Sequence, residues 1–340
     1  MKLLVTGGAG FIGSNFIHYI LKKYPSYVVI NLDKPTYAGN FESLSDVENN
    51  RNYYVITGDI TSPTHVEAVF QNGIDVVVHF AAESHVDRSI LNPNVFFQTN
   101  VLGTQYLVEF AKQYKVKKFV QISTDEVYGS LGQTGRFTEA TQLQPNSPYS
   151  ASKASADLLV RAYYETFGIP VNITRCSNNY GPFQFPEKLI PLSIIRAMND
   201  ESIPLYGSGL QVRDWLHVDD HCRAIDLVIH HGVPGEIYNI GANNEWTNVD
   251  LIKEILDKLH KPYDLIHFVK DRPGHDQRYA IDASKIKRDL GWTPRITFEE
   301  GLSETIEWYL DHEFWWKRVQ EGEYRSYMAL QYGHRLDGLL

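Results

Sequence analysis

A tyrosine and a lysine stand four residues apart in Tyr149-Ser150-Ala151-Ser152-Lys153, just after Pro148. On a helix that spacing puts both side chains on one face. An ammonium beside a phenol stabilises the phenolate, so Tyr149 would titrate well below its ordinary value of about 10 and act as a base in alcohol oxidation. The same spacing arises by chance as a surface pair, and its meaning depends on what precedes it. Upstream lies Ser123-Thr124-Asp125-Glu126-Val127-Tyr128-Gly129. Thr124 offers a hydroxyl to the oxygen being oxidised, and Asp125 and Glu126 are consecutive carboxylates. Hydride transfer needs one acid/base group, whereas elimination of water needs a base for the carbon-bound proton and an acid for the departing hydroxyl. Two carboxylates fill both roles if their surroundings raise the pKa of one. The alternative is a solvated loop pair.

A third constellation follows the first apolar run of the chain, in Gly7-Gly8-Ala9-Gly10-Phe11-Ile12-Gly13-Ser14. It satisfies both G-x-x-G-x-x-G and G-x-G-x-x-G, in the context of strand before and helix after that a dinucleotide pyrophosphate requires. Asp33, twenty residues beyond Gly13, would accept hydrogen bonds from the adenine ribose hydroxyls and repel a 2′-phosphate. NAD is therefore preferred to NADP, with Lys34 the one residue that tempers the preference; a solvated turn is the alternative for Asp33. Gly58-Asp59-Ile60 would bring Asp59 to the adenine edge, and Ala81-Ala82 would set small residues against the cofactor.

Short, almost wholly apolar runs at 3–6, 28–32, 53–56, 76–80 and 119–123 alternate with helix-length segments, and further runs follow at 171–174 and 237–240. Such runs are strands of a parallel sheet covered on both faces, which gives an α/β fold with a doubly wound, Rossmann-type sheet. Helical spacing marks 13–23, 101–114 and 149–167. From Cys176 onward Pro182, Pro186, Pro191, Pro204, Gly207 and Gly209 mark a smaller, loop-rich α/β substrate-binding lobe. The dinucleotide-binding domain is expected at 1–176 plus about 210–242, and the substrate domain at about 177–209 plus 243–340, with ligands in the cleft between them. Trp315, Trp316, Tyr324, Tyr327 and Tyr332 are expected to pack onto the small lobe.

The 340 residues are 43% hydrophobic, too apolar for a disordered chain. The 32 basic and 41 acidic residues give a formal charge of −9, which argues against a broad nucleic-acid face, so an anionic ligand must meet a local cluster of cations. No apolar run approaches the roughly 20 residues that span a bilayer. Met1-Lys2-Leu3-Leu4-Val5 runs straight into a strand, and neither a signal peptide nor a membrane partner is expected. Cys176 and Cys222 allow no disulfide framework and no Cys-x-x-Cys knuckle; a cytoplasmic protein without a metal is the expectation.

The stretches TGGAGFIGSNF, AAESHVDRS, STDEVYGS, NSPYSASKA, RCSNNYGPFQFPEKLIPL, RDWLHVDDH and DRPGHDQRYAID resemble the dTDP-glucose 4,6-dehydratase family of extended short-chain dehydrogenase/reductases, over nearly the whole chain. The glycines and the Tyr/Lys pair mark only the superfamily, whereas Thr-Asp-Glu, EKLIP and RPGHD together are specific to the dehydratase group. The resemblance implies a hydro-lyase. Tyr149, beside Lys153, is the base for oxidation of the sugar C4 hydroxyl by NAD, with Thr124 holding the oxygen. Glu126 takes the C5 proton, Asp125 protonates the leaving C6 hydroxyl, and the hydride returns to C6. The product, a 4-keto-6-deoxy sugar nucleotide, feeds deoxysugars such as rhamnose, and NAD stays tightly bound and is regenerated at each turnover.

The resemblance further implies cofactor contacts at Gly7, Gly10, Phe11, Ile12, Gly13, Asp33, Lys34, Thr36, Asp59, Ile60, Ala81, Ala82, Ser84, Thr99, Tyr149, Lys153 and Asn178. Substrate contacts would fall on Ser84, Thr124, Asn178, Leu189, Pro204, Tyr206, Arg213, Asn248, Arg272, His275 and Tyr332. Arg213 and Arg272 would supply the cations a diphosphate demands, surface ion pairs being their other reading, and Tyr206 a face for the base. A homodimer built from the helices at 101–114 and 149–167 is also implied. The chain departs from the family at Ser208, where Asp is usual, and in a short segment after Tyr128. A UDP-glucose dehydratase, a sugar-nucleotide epimerase and a noncatalytic NAD-binding regulator remain as alternatives. The carboxylate pair has no use in an epimerase, the four residues Asp125, Glu126, Tyr149 and Lys153 have none in a regulator, and thymine differs from uracil by one methyl, worth about 1 to 3 kcal/mol.

Overall fold

In the strand Val76–His79 every residue is buried, yet the side chains alternate. Val76 and Val78 pack with Leu3, Val5 and, from the helix Phe11–Lys23, Phe16 and Ile17. Val77 packs on the opposite face with Leu4, Leu107 and Phe119. The period of two is hidden in the sequence because both faces are covered by apolar helices. The computed structural model describes residues 1–36 and 39–320, and in it all seven apolar runs are strands. They are β1 (Lys2–Thr6), β2 (Val28–Asp33), β3 (Tyr53–Thr57), β4 (Val76–His79), β5 (Lys118–Thr124), β6 (Val171–Cys176) and a final strand, Ile237–Ile240. They form one parallel sheet in the order Ile237–Ile240, β6, β5, β4, β1, β2, β3.

β1 pairs with both β2 and β4. The chain thus winds from β1 to one edge, returns, and winds to the other. The carboxyl ends of β1 and β4 flank the crevice at this reversal, which is where ligands bind in such sheets. Gly7, Asp33, Asp59, Ala81, Thr124 and Cys176 all stand at or just beyond the carboxyl ends of their strands, and the topology alone therefore brings them to one side of the sheet.

The smaller lobe is built from a three-stranded sheet of Asn178–Tyr180, Val212–His217 and Glu245–Thr247, a parallel pair of Ile203–Tyr206 and Ile266–Val269, and helices that include Leu189–Met198, Asn248–Lys258 and Phe298–Asp311. Its main cluster joins Tyr180, Ile194, Leu251, Leu302 and Tyr309 to Trp315 and Trp316. The two tryptophans take the expected place, while Tyr324, Tyr327 and Tyr332 lie outside the described residues.

The turn after β1 leaves no room for side chains. Gly7 has φ of +73°, and a Cβ on it would lie 2.5 Å from the Ala81 nitrogen, so only glycine fits. At Gly13 a Cβ would lie 2.2 Å from the Gly7 carbonyl oxygen. Gly13→Ala is therefore expected to lower the unfolding free energy by roughly 1–3 kcal/mol through overpacking, measured by urea unfolding; unchanged stability would contradict the close approach.

Candidate active site

The helix Phe11–Lys23 begins at Gly10, which supplies no side-chain cap, and its first turn holds no acidic residue. Its leading N–H groups have no intrahelical acceptor and carry the positive end of the helix dipole. They open onto a cleft lined by Gly7, Gly10, Phe11, Ile12 and Gly13. The helix Pro148–Phe167 is built differently, its start closed by a capping box between Ser147 and Ser150. An uncapped, glycine-walled helix end facing a cleft is the arrangement that fits a pyrophosphate.

Asp33 closes β2, with Oδ2 accepting the Ala9 N–H at 2.7 Å and Oδ1 the Lys34 N–H at 2.8 Å. Burial pushes its carboxyl up to about 6, although both hydrogen bonds oppose the shift. Lys34 Nζ donates to Asp59 Oδ2 at 2.7 Å. Burial would raise Asp59, but Lys34 and the Thr61 donors hold it below its ordinary value. The cation beside Asp33 is thus already paired, and two carboxylates surround one ammonium where a 2′-phosphate would have to sit. Thr36, Asp59, Ile60, Ala81, Ala82, Ser84, Thr99 and Asn178 line the same cleft, which therefore gathers every cofactor position expected from the sequence.

At the other end of the cleft, Thr124 caps a short turn, Asp125–Tyr128, that follows β5. Its Oγ1 accepts the Glu126 N–H at 3.2 Å and donates to Asp125 Oδ1 at 3.3 Å. Pro148 in the first turn and the Ser147 cap fix where the facing helix starts, and so aim Tyr149 and Lys153 at the cleft. Tyr149 packs edge-on to Phe96, with ring centroids 6.3 Å apart, and shares a hydrogen bond with Thr124. Lys153 Nζ donates to the Ile122 carbonyl at 2.7 Å.

One electrostatic expectation is reversed. The Tyr149 phenol lies well above its ordinary value, pushed there first by burial and then by Glu126, Cys176 and Asp125, against the Thr124 hydrogen bond. The Lys153 ammonium is itself lowered by burial and is engaged by a carbonyl, so it does not outweigh two neighbouring carboxylates. A positive group placed beside it in the cleft would bring Tyr149 down.

The carboxylates occupy unlike surroundings. Asp125 is 2% exposed and its Oδ2 has no partner. Burial, then Glu126 and Asp214, drive it well above the carboxylate range, with Arg213 and Thr124 in weaker opposition. Glu126 is half-buried. Burial raises it too, and it stays above its ordinary value although Arg272, Lys188 and Arg213 all pull it back. Asp125 is therefore the member that holds a proton more strongly, and its burial excludes a solvated loop pair.

The residues expected to hold a sugar nucleotide divide into two groups. Ser84, Thr124 and Asn178 line the cleft, Asn178 with a buried, unpartnered Oδ1. Arg213, Tyr206, Arg272 and His275 form a cluster next to Glu126. The Arg213 guanidinium lies 4.2 Å over the Tyr279 ring, and its Nη2 donates to the Asp276 carbonyl at 3.0 Å. Arg213 is 5% exposed, which excludes a surface ion pair. Tyr206 meets the His275 ring edge-on at 6.1 Å. Burial, then Arg272 and Arg213, lower His275 to about 4 despite its contact with Asp271, so its ring is neutral.

Leu189 starts its helix half-buried between two apolar clusters, Pro204 is buried within a strand, and Asn248 starts a helix with its Oδ1 unpartnered; none of the three lines the cofactor cleft. Tyr332 lies outside the described residues. Lys188 was not singled out by sequence, although it stands in the EKLIP stretch. Its Nζ donates to the Ser84 carbonyl at 3.0 Å and it lines the cleft near Glu126. Among the described residues no group of three or more His, Cys, Asp or Glu could hold a metal.

The family description GDP-mannose 4,6 dehydratase matches residues 4–305. A dTDP-glucose 4,6-dehydratase of Escherichia coli is 51% identical over 354 aligned residues, which cover 95% of this chain and 98% of the relative. Among solved structures, a dTDP-glucose 4,6-dehydratase of Bacillus anthracis in complex with NAD is 53% identical and superposes with a TM-score of 0.88, over 94% of this chain and 99% of the other. A dTDP-glucose 4,6-dehydratase of Streptomyces venezuelae with NAD and a second ligand bound is 49% identical with a TM-score of 0.92, over 94% and 100% of the two chains.

The Asp33 carboxyl is raised on folding, so its contribution to stability is complete below pH 3.8 and is lost as pH rises through about 6. Asp33→Asn cannot ionise. In protein freed of dinucleotide, the stability gap between the parent chain and this variant should shrink between pH 4 and pH 7. Thermal unfolding at the two pH values checks it, and a gap that widens would contradict the burial of the carboxyl.

Proposed function

The chain belongs to the GDP-mannose 4,6 dehydratase family of extended short-chain dehydrogenase/reductases, and on that premise we infer that it converts dTDP-glucose to dTDP-4-keto-6-deoxyglucose as a NAD-dependent hydro-lyase. The observation that carries the reading is the unequal carboxyl pair, a buried Asp125 with an unpartnered oxygen beside a half-buried, cation-flanked Glu126, facing Tyr149 in a cleft with a glycine-walled helix end. Relatives that share half of the sequence are named for dTDP-glucose, which favours thymine over uracil.

The N–H groups at the start of the helix Phe11–Lys23 would hold the NAD pyrophosphate and Asp33 the adenine ribose. When bound, NAD would supply a hydride acceptor for C4, a hydride donor for C6 and a positively charged nicotinamide ring. Tyr149 takes the C4 hydroxyl proton while Thr124 holds the oxygen, and Lys153 supplies a fixed positive charge behind them. The C4 ketone acidifies the C5 proton, which Glu126 removes. Asp125 gives its proton to the C6 hydroxyl, which leaves as water. Glu126 then returns its proton to C5. The proton gained by Tyr149 balances the one given up by Asp125, so sugar nucleotide becomes keto product and water with no net oxidation.

The same reading extends to assembly and location. A homodimer would form through the paired helices Thr104–Gln113 and Pro148–Phe167, tied by a Tyr163 hydroxyl that donates to Glu109 at 3.0 Å. Leu102, Leu158 and Phe167 leave apolar surface exposed in this region. The proposed division into 1–176 plus about 210–242 and the remainder draws support from Val218, Ile225 and Ile240, which pack with the large sheet, whereas the strand Val212–His217 pairs into the small lobe's sheet and moves that boundary to about 218. No helix among the described residues is long and apolar enough to cross a membrane, and two buried free thiols, Cys176 and Cys222, suit a reducing cytoplasm.

Purified protein given dTDP-glucose should form a product that absorbs as a 4-keto sugar in alkali, without added dinucleotide; turnover of UDP-glucose alone would move the substrate and leave the mechanism. Glu126→Gln should slow elimination by roughly 10²- to 10⁴-fold while C4 oxidation persists, seen as accumulating NADH absorbance in a single turnover. Equal loss of both half-reactions would contradict its role as the C5 base.

A further inference from the structure

The chain leaves β4 along the cofactor cleft, lines it with Ala81, Ala82 and Ser84, and enters the short helix Val86–Leu91. Asp87, in that helix, is 4% exposed and has no part in the mechanism above. A carboxylate so buried persists only where its oxygens are satisfied, and both of its oxygens reach the small lobe. Oδ2 accepts the Tyr206 hydroxyl at 3.0 Å, and Oδ1 pairs with Arg272 Nη1 at 3.5 Å. Tyr206 ends the strand Ile203–Tyr206, whereas Arg272 lies in the chain beyond the strand Ile266–Val269. One side chain of the cofactor domain thus joins two separate elements of the substrate lobe.

Arg272 has a choice of carboxylate partners. Burial works against its charge, and Asp87 and then Glu126 support it. Its Nε is buried and without a partner, a donor left for a ligand. With Asp87 in place, Arg272 Nη1 is held at the Asp87 carboxylate and Nε is left for a ligand; without it, the guanidinium loses that anchor. Lys188 and Glu187 also sense Asp87, so the carboxylate sits among charges of both signs and its removal would unbalance them.

We propose that Asp87 is a positioning residue for the nucleotide-sugar diphosphate, its carboxylate holding Arg272 and Tyr206 in one arrangement across the cleft. The proposal rests on the reading of Arg272 and Tyr206 as substrate contacts. In the NAD-loaded enzyme, Asp87→Ala should raise KM for dTDP-glucose, and Kd for dTDP, by roughly ten-fold or more, the worth of a charge-assisted hydrogen bond, with kcat within about three-fold. Asp87→Asn keeps an acceptor for Tyr206 but loses the charge, and should fall between. In an Arg272→Gln background, Asp87→Ala should add little, because the two act as a unit.

A fallen kcat with KM unchanged, or full additivity with Arg272→Gln, would overturn the proposal. If Arg272→Gln and Tyr206→Phe themselves leave KM unchanged, the reading of the substrate site fails; if they raise it while the Asp87 variants do not, the assignment of Asp87 alone fails. Should Asp87→Ala not fold, Asp87→Asn, of the same volume, decides on the same ratio.

Discussion

Two carboxyl groups on consecutive residues, one buried and one half-buried, resist ionising together. Burial and mutual repulsion raise each, and only an uneven supply of positive charge separates them. That constraint governs the active site. Asp125 has an unpartnered oxygen and the repulsion of Glu126 and Asp214, whereas Glu126 has Arg272, Lys188 and Arg213 about it. The three cations come from three different parts of the small lobe. The lobe is therefore more than a holder for the nucleotide: in the proposed mechanism the groups that would meet the diphosphate are also those that keep the C5 base ionisable.

The large sheet meets the complementary requirement. A parallel sheet wound in two directions from β1 delivers the ends of its strands to one crevice, so a glycine turn, an acid for the ribose, a hydroxyl and a carboxylate pair converge with no long-range pairing beyond the strand order. The helix Pro148–Phe167 then lies over the end of β5 with Tyr149 facing the carboxylates. The pocket that results is buried and negative around Tyr149, and in the proposed mechanism a cationic cofactor ring would ease the loss of the phenol proton as well as accept the hydride.

Much of this was legible in the sequence because it is local. Apolar runs between helical segments, glycines at fixed offsets and the spacings Gly13 to Asp33 and Tyr149 to Lys153 are properties of neighbouring residues, and each reached the cleft it implied. What was not legible depends on partners distant in the chain. Lys34 looked like a cation that weakens the NAD preference, but Asp59, 25 residues on, pairs with it. Lys153 looked sufficient to lower Tyr149, but the Ile122 carbonyl engages it and the carboxylates prevail. Lys188 and Asp87 carried no signal of burial at all, since a lysine before a helix and an aspartate in its first turn are ordinarily solvated. Leu189, Pro204 and Asn248, which came from family resemblance alone, stand apart from the cofactor cleft.

The central claim is that a proton held by the carboxyl pair in the resting enzyme sits on Asp125 and not on Glu126. Infrared spectroscopy of the NAD-loaded enzyme at pH 7 reads this directly from the carbonyl stretch of a protonated carboxyl. The account predicts a band that disappears in Asp125→Asn and survives in Glu126→Gln. A band that survives in Asp125→Asn and disappears in Glu126→Gln would contradict it.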